Sequence, residues 1–129
     1  MPEKVRRVLL AEDDRFLRKA ASTALQRKGY EVLSAVDGQE ALRLAREEAP
    51  DVILLDLIMP KVQGFEVLRS LKADPATSQI PVIILTNLSQ DADRSSALTG
   101  GAREYLVKAN LSLDALAAAV DRAFAETLR

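Results

Sequence analysis

Five side chains that could form one reactive site are scattered over most of the sequence. They are the carboxylates of Asp13, Asp14 and Asp56, the hydroxyl of Thr86 and the ammonium of Lys108. Each has an ordinary structural explanation by itself, since an acid can cap a helix, a threonine suits a strand and a lysine suits a solvated edge. All five, however, lie at or just past the carboxyl ends of segments that we predict to be strands. We therefore interpret them as one site.

Such a cluster of carboxylates needs cations. Two carboxylates about 4 Å apart repel each other by roughly 4 kcal/mol at an effective dielectric constant near 20. Lys108 supplies one positive charge, and a divalent ion could supply two more. The sequence contains neither His nor Cys, and oxygen ligands favour Mg²⁺, which typically binds one or two carboxylates together with a substrate phosphate. We predict an Mg²⁺ site suited to a phosphoryl group. Without a glycine-rich GxxxxGK loop, a nucleotide is not the obvious ligand.

The central element is the stretch DVILLDLIMP, residues 51–60. Its four consecutive apolar residues, 52–55, are typical of a strand buried on both faces of a parallel sheet. Asp56 stands where this strand ends. An aspartate there could also open a turn.

The whole chain alternates strands with helices. We predict strands over residues 5–11, 30–35, 52–55, 82–85 and 104–108, each followed by a helix, of which the polar fourth helix near 90–98 has the weakest apolar face. This pattern predicts an α/β fold with a doubly wound, five-stranded parallel sheet and helices on both faces. The first, third and fourth strands are apolar throughout and should be interior, which gives the flavodoxin-like order 2-1-3-4-5. Ligands of such sheets bind at the carboxyl ends of the strands, where the winding direction reverses.

Composition narrows the functional classes. The 129 residues suit a single domain over residues 1–129, and 18 basic against 19 acidic side chains give a net charge of −1. This balance gives no reason to expect nucleic acid or anionic lipid as a direct partner. We find no membrane-spanning run and no signal peptide, so a cytoplasmic location is the default expectation.

Several separated motifs resemble the receiver domain of bacterial two-component response regulators. They are the acidic pair Asp13-Asp14, the strand end DLIMPKVQG carrying Asp56, Thr86 after VIIL, and YLVK ending in Lys108. They occur in the order and spacing of that family, and the resemblance covers essentially the whole chain.

The resemblance implies a role for the acidic residues. Asp56 is implied to be the phosphoacceptor, which takes a phosphoryl group from a sensor histidine kinase or a histidine phosphotransfer protein. Asp13 and Asp14 are implied to bind Mg²⁺, and Asp56 and the backbone carbonyl of Ile58 complete the protein ligands. The domain would catalyse only its own phosphorylation and dephosphorylation.

The resemblance also implies a switch. Thr86 and Lys108 would contact the phosphoryl group, and the aromatic ring of Tyr105 would turn inward as Thr86 moves. The surface of the fourth helix, fifth strand and fifth helix would then change and act on an output protein or form a homodimer.

Two positions depart from the family pattern. The family usually has proline after the lysine of strand five, often with a cis peptide bond, whereas this chain has Ala109. A cis bond before a non-proline residue costs about 2.5–4 kcal/mol, so the loop is either strained or follows another path. The residue after Thr86 is commonly small in the family, and here it is Asn87.

Two alternatives use related folds. The first is a pseudo-receiver, a protein-interaction module that acts without phosphorylation, which the five intact site residues disfavour. The second is an enzyme of the haloacid-dehalogenase type, which carries a DxD pair after the first strand. The sequence EDDR at this place does not match that pair.

Overall fold

The computed structural model of the chain describes residues 5–127. Five parallel strands form one sheet in the order β2-β1-β3-β4-β5. The predicted fold class and strand order are therefore confirmed, with β2 and β5 at the edges. In chain order the elements are β1 (Arg7–Ala11), α1 (Arg15–Arg27), β2 (Glu31–Ala35), α2 (Gly38–Glu48), β3 (Val52–Leu55), α3 (Gly64–Ala73), β4 (Val82–Thr86), α4 (Asp91–Thr99), β5 (Glu104–Val107), a 3₁₀ turn (Lys108–Asn110) and α5 (Leu113–Thr127).

The sheet separates two hydrophobic cores. Successive strand side chains point to opposite faces, so that Leu9 and Ile53 lie in one core while Leu10 and Leu54 lie in the other. The first core is completed by α2, α3 and α4 and is called the α2–α4 core below. The second is completed by α1 and α5 and is called the α1/α5 core. Every residue of β3 and β4 is buried, as expected for strands covered on both faces.

Two glycines hold the β3–α3 loop, residues 56–63, against its neighbours. The Gly64 N–H donates to the Leu57 carbonyl at 3.0 Å, and a Cβ atom on Gly64 would lie 2.3 Å from Leu57 Cα and 2.5 Å from the Asp56 carbonyl oxygen. A Cβ atom on Gly38 would lie 2.1 Å from the Val62 carbonyl oxygen. Glycine at these two positions thus lets α2 and α3 approach the loop that follows β3.

Helix α4 is weakly anchored. Ala97 is its only residue that is buried, and no side chain caps its first turn. This agrees with the polar sequence of this helix, which has the weakest apolar face of the five. No helix within residues 5–127 has the length and apolar character needed to cross a membrane.

Candidate functional site

Asp56 occupies the centre of the carboxyl edge of the sheet. Its backbone N–H donates to the Ala11 carbonyl at 3.1 Å, which continues the pairing of β1 with β3 past the strand end. Its side chain is 5 % exposed. The Oδ1 atom accepts from the Ile58 N–H at 3.1 Å, and Oδ2 accepts from Lys108 Nζ at 2.7 Å. The carboxylate is therefore fixed by one backbone donor and one ammonium.

Glu12, which the sequence analysis did not select, lies beside Asp56. It is fully buried, and its Oε2 atom accepts from the Asp14 N–H at 2.9 Å. Lys108 Nζ forms an ion pair with Oε1 at 2.6 Å. Burial raises the pKa of Glu12 above its ordinary value, and Lys108 and the Asp14 N–H offset part of that rise.

Three carboxylates converge at this edge. Glu12, Asp13 and Asp56 each offer an oxygen, and these oxygens lie within 4.8 Å of one another. Burial lowers the pKa of Lys108, but its bonds to Asp56 and Glu12 outweigh burial and raise that pKa above its ordinary value. Three carboxylates beside one ammonium leave an excess of negative charge that a divalent cation would balance. The oxygen-only donor set, with Asp13 exposed to solvent, fits Mg²⁺.

The structure places Asp14 outside this cluster. Its Oδ1 atom accepts from the Phe16 N–H at 2.9 Å and the Leu17 N–H at 3.2 Å, so Asp14 is the N-cap of α1. An N-cap side chain bonds to the first N–H groups of its helix. The prediction that Asp14 lies in the acidic cluster is therefore corrected, because the third carboxylate beside Asp13 and Asp56 is that of Glu12. An aspartate directly before an apolar helical pattern is itself a cap signal.

Thr86 and Tyr105 meet at the backbone of Leu88. Thr86 is fully buried, and its hydroxyl accepts from the Leu88 N–H at 3.4 Å. Tyr105 is 5 % exposed, and its hydroxyl donates to the Leu88 carbonyl at 2.7 Å. Burial, together with the charge of Asp93, raises the pKa of Tyr105. The aromatic ring of Tyr105 is thus buried, with its hydroxyl bonded to the backbone next to α4.

The loop after β5 follows a path without a cis bond. No peptide bond between residues 5 and 127 is cis, and Lys108–Asn110 form a 3₁₀ turn closed by a bond from the Leu111 N–H to the Lys108 carbonyl at 3.2 Å. Ala109 is therefore accommodated by another path of the loop. Lys108 nevertheless reaches both Glu12 and Asp56.

Comparisons with known proteins agree on one family. A family model described as "Response regulator receiver domain" matches residues 8–121. A gliding motility regulatory protein of Myxococcus xanthus is 41% identical over 116 residues, which are 90% of this chain and 15% of that protein. Protein PilH of Pseudomonas aeruginosa is 40% identical over 102 residues, 79% of this chain and 84% of PilH. The chain thus spans a small part of some relatives and most of others.

Solved structures show the same similarity. The receiver domain of a Francisella response regulator superposes with a TM-score of 0.88 at 32% identity and covers 95% of this chain and 98% of its own. The receiver domain of a Pseudomonas aeruginosa sensor histidine kinase superposes with a TM-score of 0.86 at 28% identity and covers 95% of this chain and 99% of its own. The latter is described with a magnesium ion coordinated in its active-site cleft.

Proposed function

This chain belongs to the response regulator receiver domain family, as its motifs predicted, and we propose that it accepts a phosphoryl group on Asp56 and signals through the resulting change of its surface. One observation carries the proposal. Asp56 is a nearly buried carboxylate at the end of the central strand, held by Lys108 and adjoining Glu12 and Asp13. A carboxylate so placed can act as a nucleophile toward phosphorus.

The transfer step exchanges one bond for another. An Asp56 carboxylate oxygen forms a P–O bond while the P–N bond of the donor's phosphohistidine breaks, and the electron pair of that bond leaves with the imidazole nitrogen, which takes up a proton. Lys108 is positioned to neutralise charge on the phosphoryl oxygens as it transfers. Most of the catalysis in such transfers is positioning and charge stabilisation.

Glu12, Asp13 and Asp56 would hold Mg²⁺, with the backbone carbonyl of Ile58 as a further ligand. The ion, when bound, would supply positive charge to the phosphoryl oxygens. The support for this assignment is the set of three carboxylate oxygens and the magnesium described for a structural relative. Of the two acids predicted beside Asp56, only Asp13 is retained.

The phosphoryl donor in this proposal is a sensor histidine kinase or a histidine phosphotransfer protein. Outside transfer from such a partner, the domain catalyses only its own phosphorylation and dephosphorylation. The output surface is formed by α4, β5 and α5 and would contact an output protein or a second copy of the chain. Its support is the weak anchoring of α4 and the link between Thr86 and Tyr105 through Leu88, because elements that switch come from the least stable parts of a fold.

The first experiment tests the nucleophile. The protein is incubated with acetyl phosphate and Mg²⁺, and label is followed by intact mass. We expect one base-labile phosphoryl group on the parent, none on Asp56→Asn, and an unchanged amount on Asp114→Asn, which alters an exposed aspartate at the start of α5. Undiminished label on Asp56→Asn would exclude this nucleophile. An unlabelled parent would favour the pseudo-receiver alternative.

The second experiment separates the two neighbouring acids. Mg²⁺ stabilises a protein that binds it by about RT ln(1 + [Mg²⁺]/Kd), so the melting temperature is measured across a Mg²⁺ series. Asp13→Asn should remove most of the Mg²⁺-dependent rise. Asp14→Asn should keep it, because asparagine caps a helix as well as aspartate does. The reverse result would restore Asp14 as a ligand.

A further inference from the structure

Arg18 reaches from α1 back to the backbone of the acidic cluster. It is partly buried at the end of the first turn of α1, and its Nη1 atom donates to the Glu12 carbonyl at 2.9 Å and to the Asp13 carbonyl at 3.3 Å. These two residues supply two of the three clustered carboxylates. The guanidinium therefore contacts the main chain of both residues and not their carboxylates.

Three further hydrogen bonds hold the same loop, residues 12–14. The Glu12 carboxylate accepts from the Asp14 N–H at 2.9 Å, and the Asp14 carboxylate accepts from the first N–H groups of α1. Arg18 and the Asp14 cap thus tie the β1–α1 loop to α1, and the bond from the Asp14 N–H to the Glu12 carboxylate holds the loop internally. These bonds fix the direction in which the side chains of Glu12 and Asp13 leave the backbone.

We propose that Arg18 is a positioning residue for the metal site, holding the β1–α1 loop so that the oxygens of Glu12 and Asp13 face Asp56. The inference rests on the proposed function, since it assigns Arg18 to the Mg²⁺ site of that function. Arg18 would act through the backbone carbonyls of Glu12 and Asp13 and would not itself be a metal ligand. Residues that orient metal ligands in this way typically contribute about 10- to 100-fold to metal affinity.

The sign of the effect distinguishes positioning from simple charge. Arg18 carries a positive charge near a site for a cation, so Coulomb repulsion alone would make its removal tighten Mg²⁺ binding. Loss of positioning would instead weaken Mg²⁺ binding. A residue that only stabilised the fold would lower the melting temperature and leave the Mg²⁺ dissociation constant of the folded protein unchanged.

The experiment is a Mg²⁺ titration of the full chain without any phosphodonor, followed by ¹H–¹⁵N NMR. The variants are Arg18→Met, which keeps the apolar stem, and Arg18→Lys, which keeps a donor. The matched control is Lys19→Met, which removes the same charge from the exposed neighbouring position. We expect Arg18→Met to raise the dissociation constant about tenfold, Arg18→Lys to give an intermediate value, and Lys19→Met to stay within about twofold of the parent.

The metal-free spectra supply a second readout. In Arg18→Met the amide signals of Asp13 and Asp14 should shift and exchange faster with solvent, while those of β3 stay in place. Tighter or unchanged Mg²⁺ binding in Arg18→Met, or a parent that binds no Mg²⁺, would overturn the inference. Should Arg18→Met fail to fold, Arg18→Lys and Arg18→Gln carry the same comparison. Because the titration uses no phosphodonor, a failure of Asp56 labelling is a separate result that bears on the proposed function.

Discussion

Replacing Gly64 by alanine should damage both the fold and the site at its centre. The added Cβ atom would lie 2.3 Å from Leu57 Cα and 2.5 Å from the Asp56 carbonyl oxygen. Both are backbone atoms at the end of β3, so neither can turn aside as a flexible side chain would. Either α3 must move away from the sheet, or the chain at Asp56 must shift by about 1 Å to restore ordinary contact near 3.5 Å.

Overpacking of this kind typically costs about 1–3 kcal/mol, and two backbone contacts this close place Gly64→Ala at the upper end. The unfolding entropy is about 2.1 cal/mol/K per residue, or about 0.27 kcal/mol/K for the 129 residues. A loss of about 3 kcal/mol therefore lowers the melting temperature by about 11 °C. Displacement of Asp56 should also slow phosphorylation by acetyl phosphate.

The assay is thermal unfolding followed by circular dichroism, with Gly100→Ala as the matched control. Gly100 has a right-handed backbone with φ of −74°, and a Cβ atom there would meet Ser96 O at 3.1 Å and Leu68 Cδ2 at 3.4 Å. Its melting temperature should stay within about 3 °C of the parent. A Gly64→Ala protein that melted within the same range would refute the argument from close approach.

Three other perturbations have defined outcomes. Burial, and the hydrogen bond that Tyr30 donates to Asp121, raise the pKa of Tyr30 to about 12. The free energy of unfolding of the parent relative to that of Tyr30→Phe should therefore be constant below about pH 10 and fall as the pH rises toward 12. A difference in urea midpoints that does not depend on pH would contradict this. Tyr105→Phe loses the hydrogen bond to the Leu88 carbonyl, and its free energy of unfolding in urea should be about 1 kcal/mol lower than that of the parent. An equal urea midpoint would mean that this bond adds nothing to stability. Ile58 is 56% exposed, follows the proposed phosphoacceptor by two positions and cannot hold a water by hydrogen bonding. We therefore predict slow loss of the phosphoryl group from the parent and faster loss from Ile58→Asn, measured as the decay of labelled protein. An unchanged half-life would refute this.

The strand order could be predicted because strands that are buried on both faces consist of apolar residues, whereas edge strands alternate apolar and polar residues. All residues of β3 and β4 are buried, and both strands are apolar throughout apart from the terminal Thr86. The edge strand β2 has exposed Glu31 and Ser34 among its five residues, and its sequence alternates accordingly. Asp56, Thr86 and Lys108 also follow from this pattern, since each stands where a strand ends or just after it.

The choice among consecutive acids could not be made in the same way. Glu12, Asp13 and Asp14 all follow β1, and their types do not reveal where the loop turns into α1. The directions of their side chains depend on hydrogen bonds from α1, among them those of Arg18, and on the ion pair with Lys108, which follows the edge strand β5. Apolar periodicity does not report such contacts, and the general preference of aspartate for the N-cap applied to Asp13 and Asp14 alike.

The division of the interior into two cores allows the two halves of the surface to diverge independently. Tyr105, Leu88 and α4 belong to the α2–α4 core, whereas α1, which ties down the β1–α1 loop, packs into the α1/α5 core with α5. The two cores share strand backbones but no side chains, so a substitution that reshapes one leaves the packing of the other in place. Substitutions around α4 could therefore accumulate while α1, and the β1–α1 loop that it holds, keep their packing.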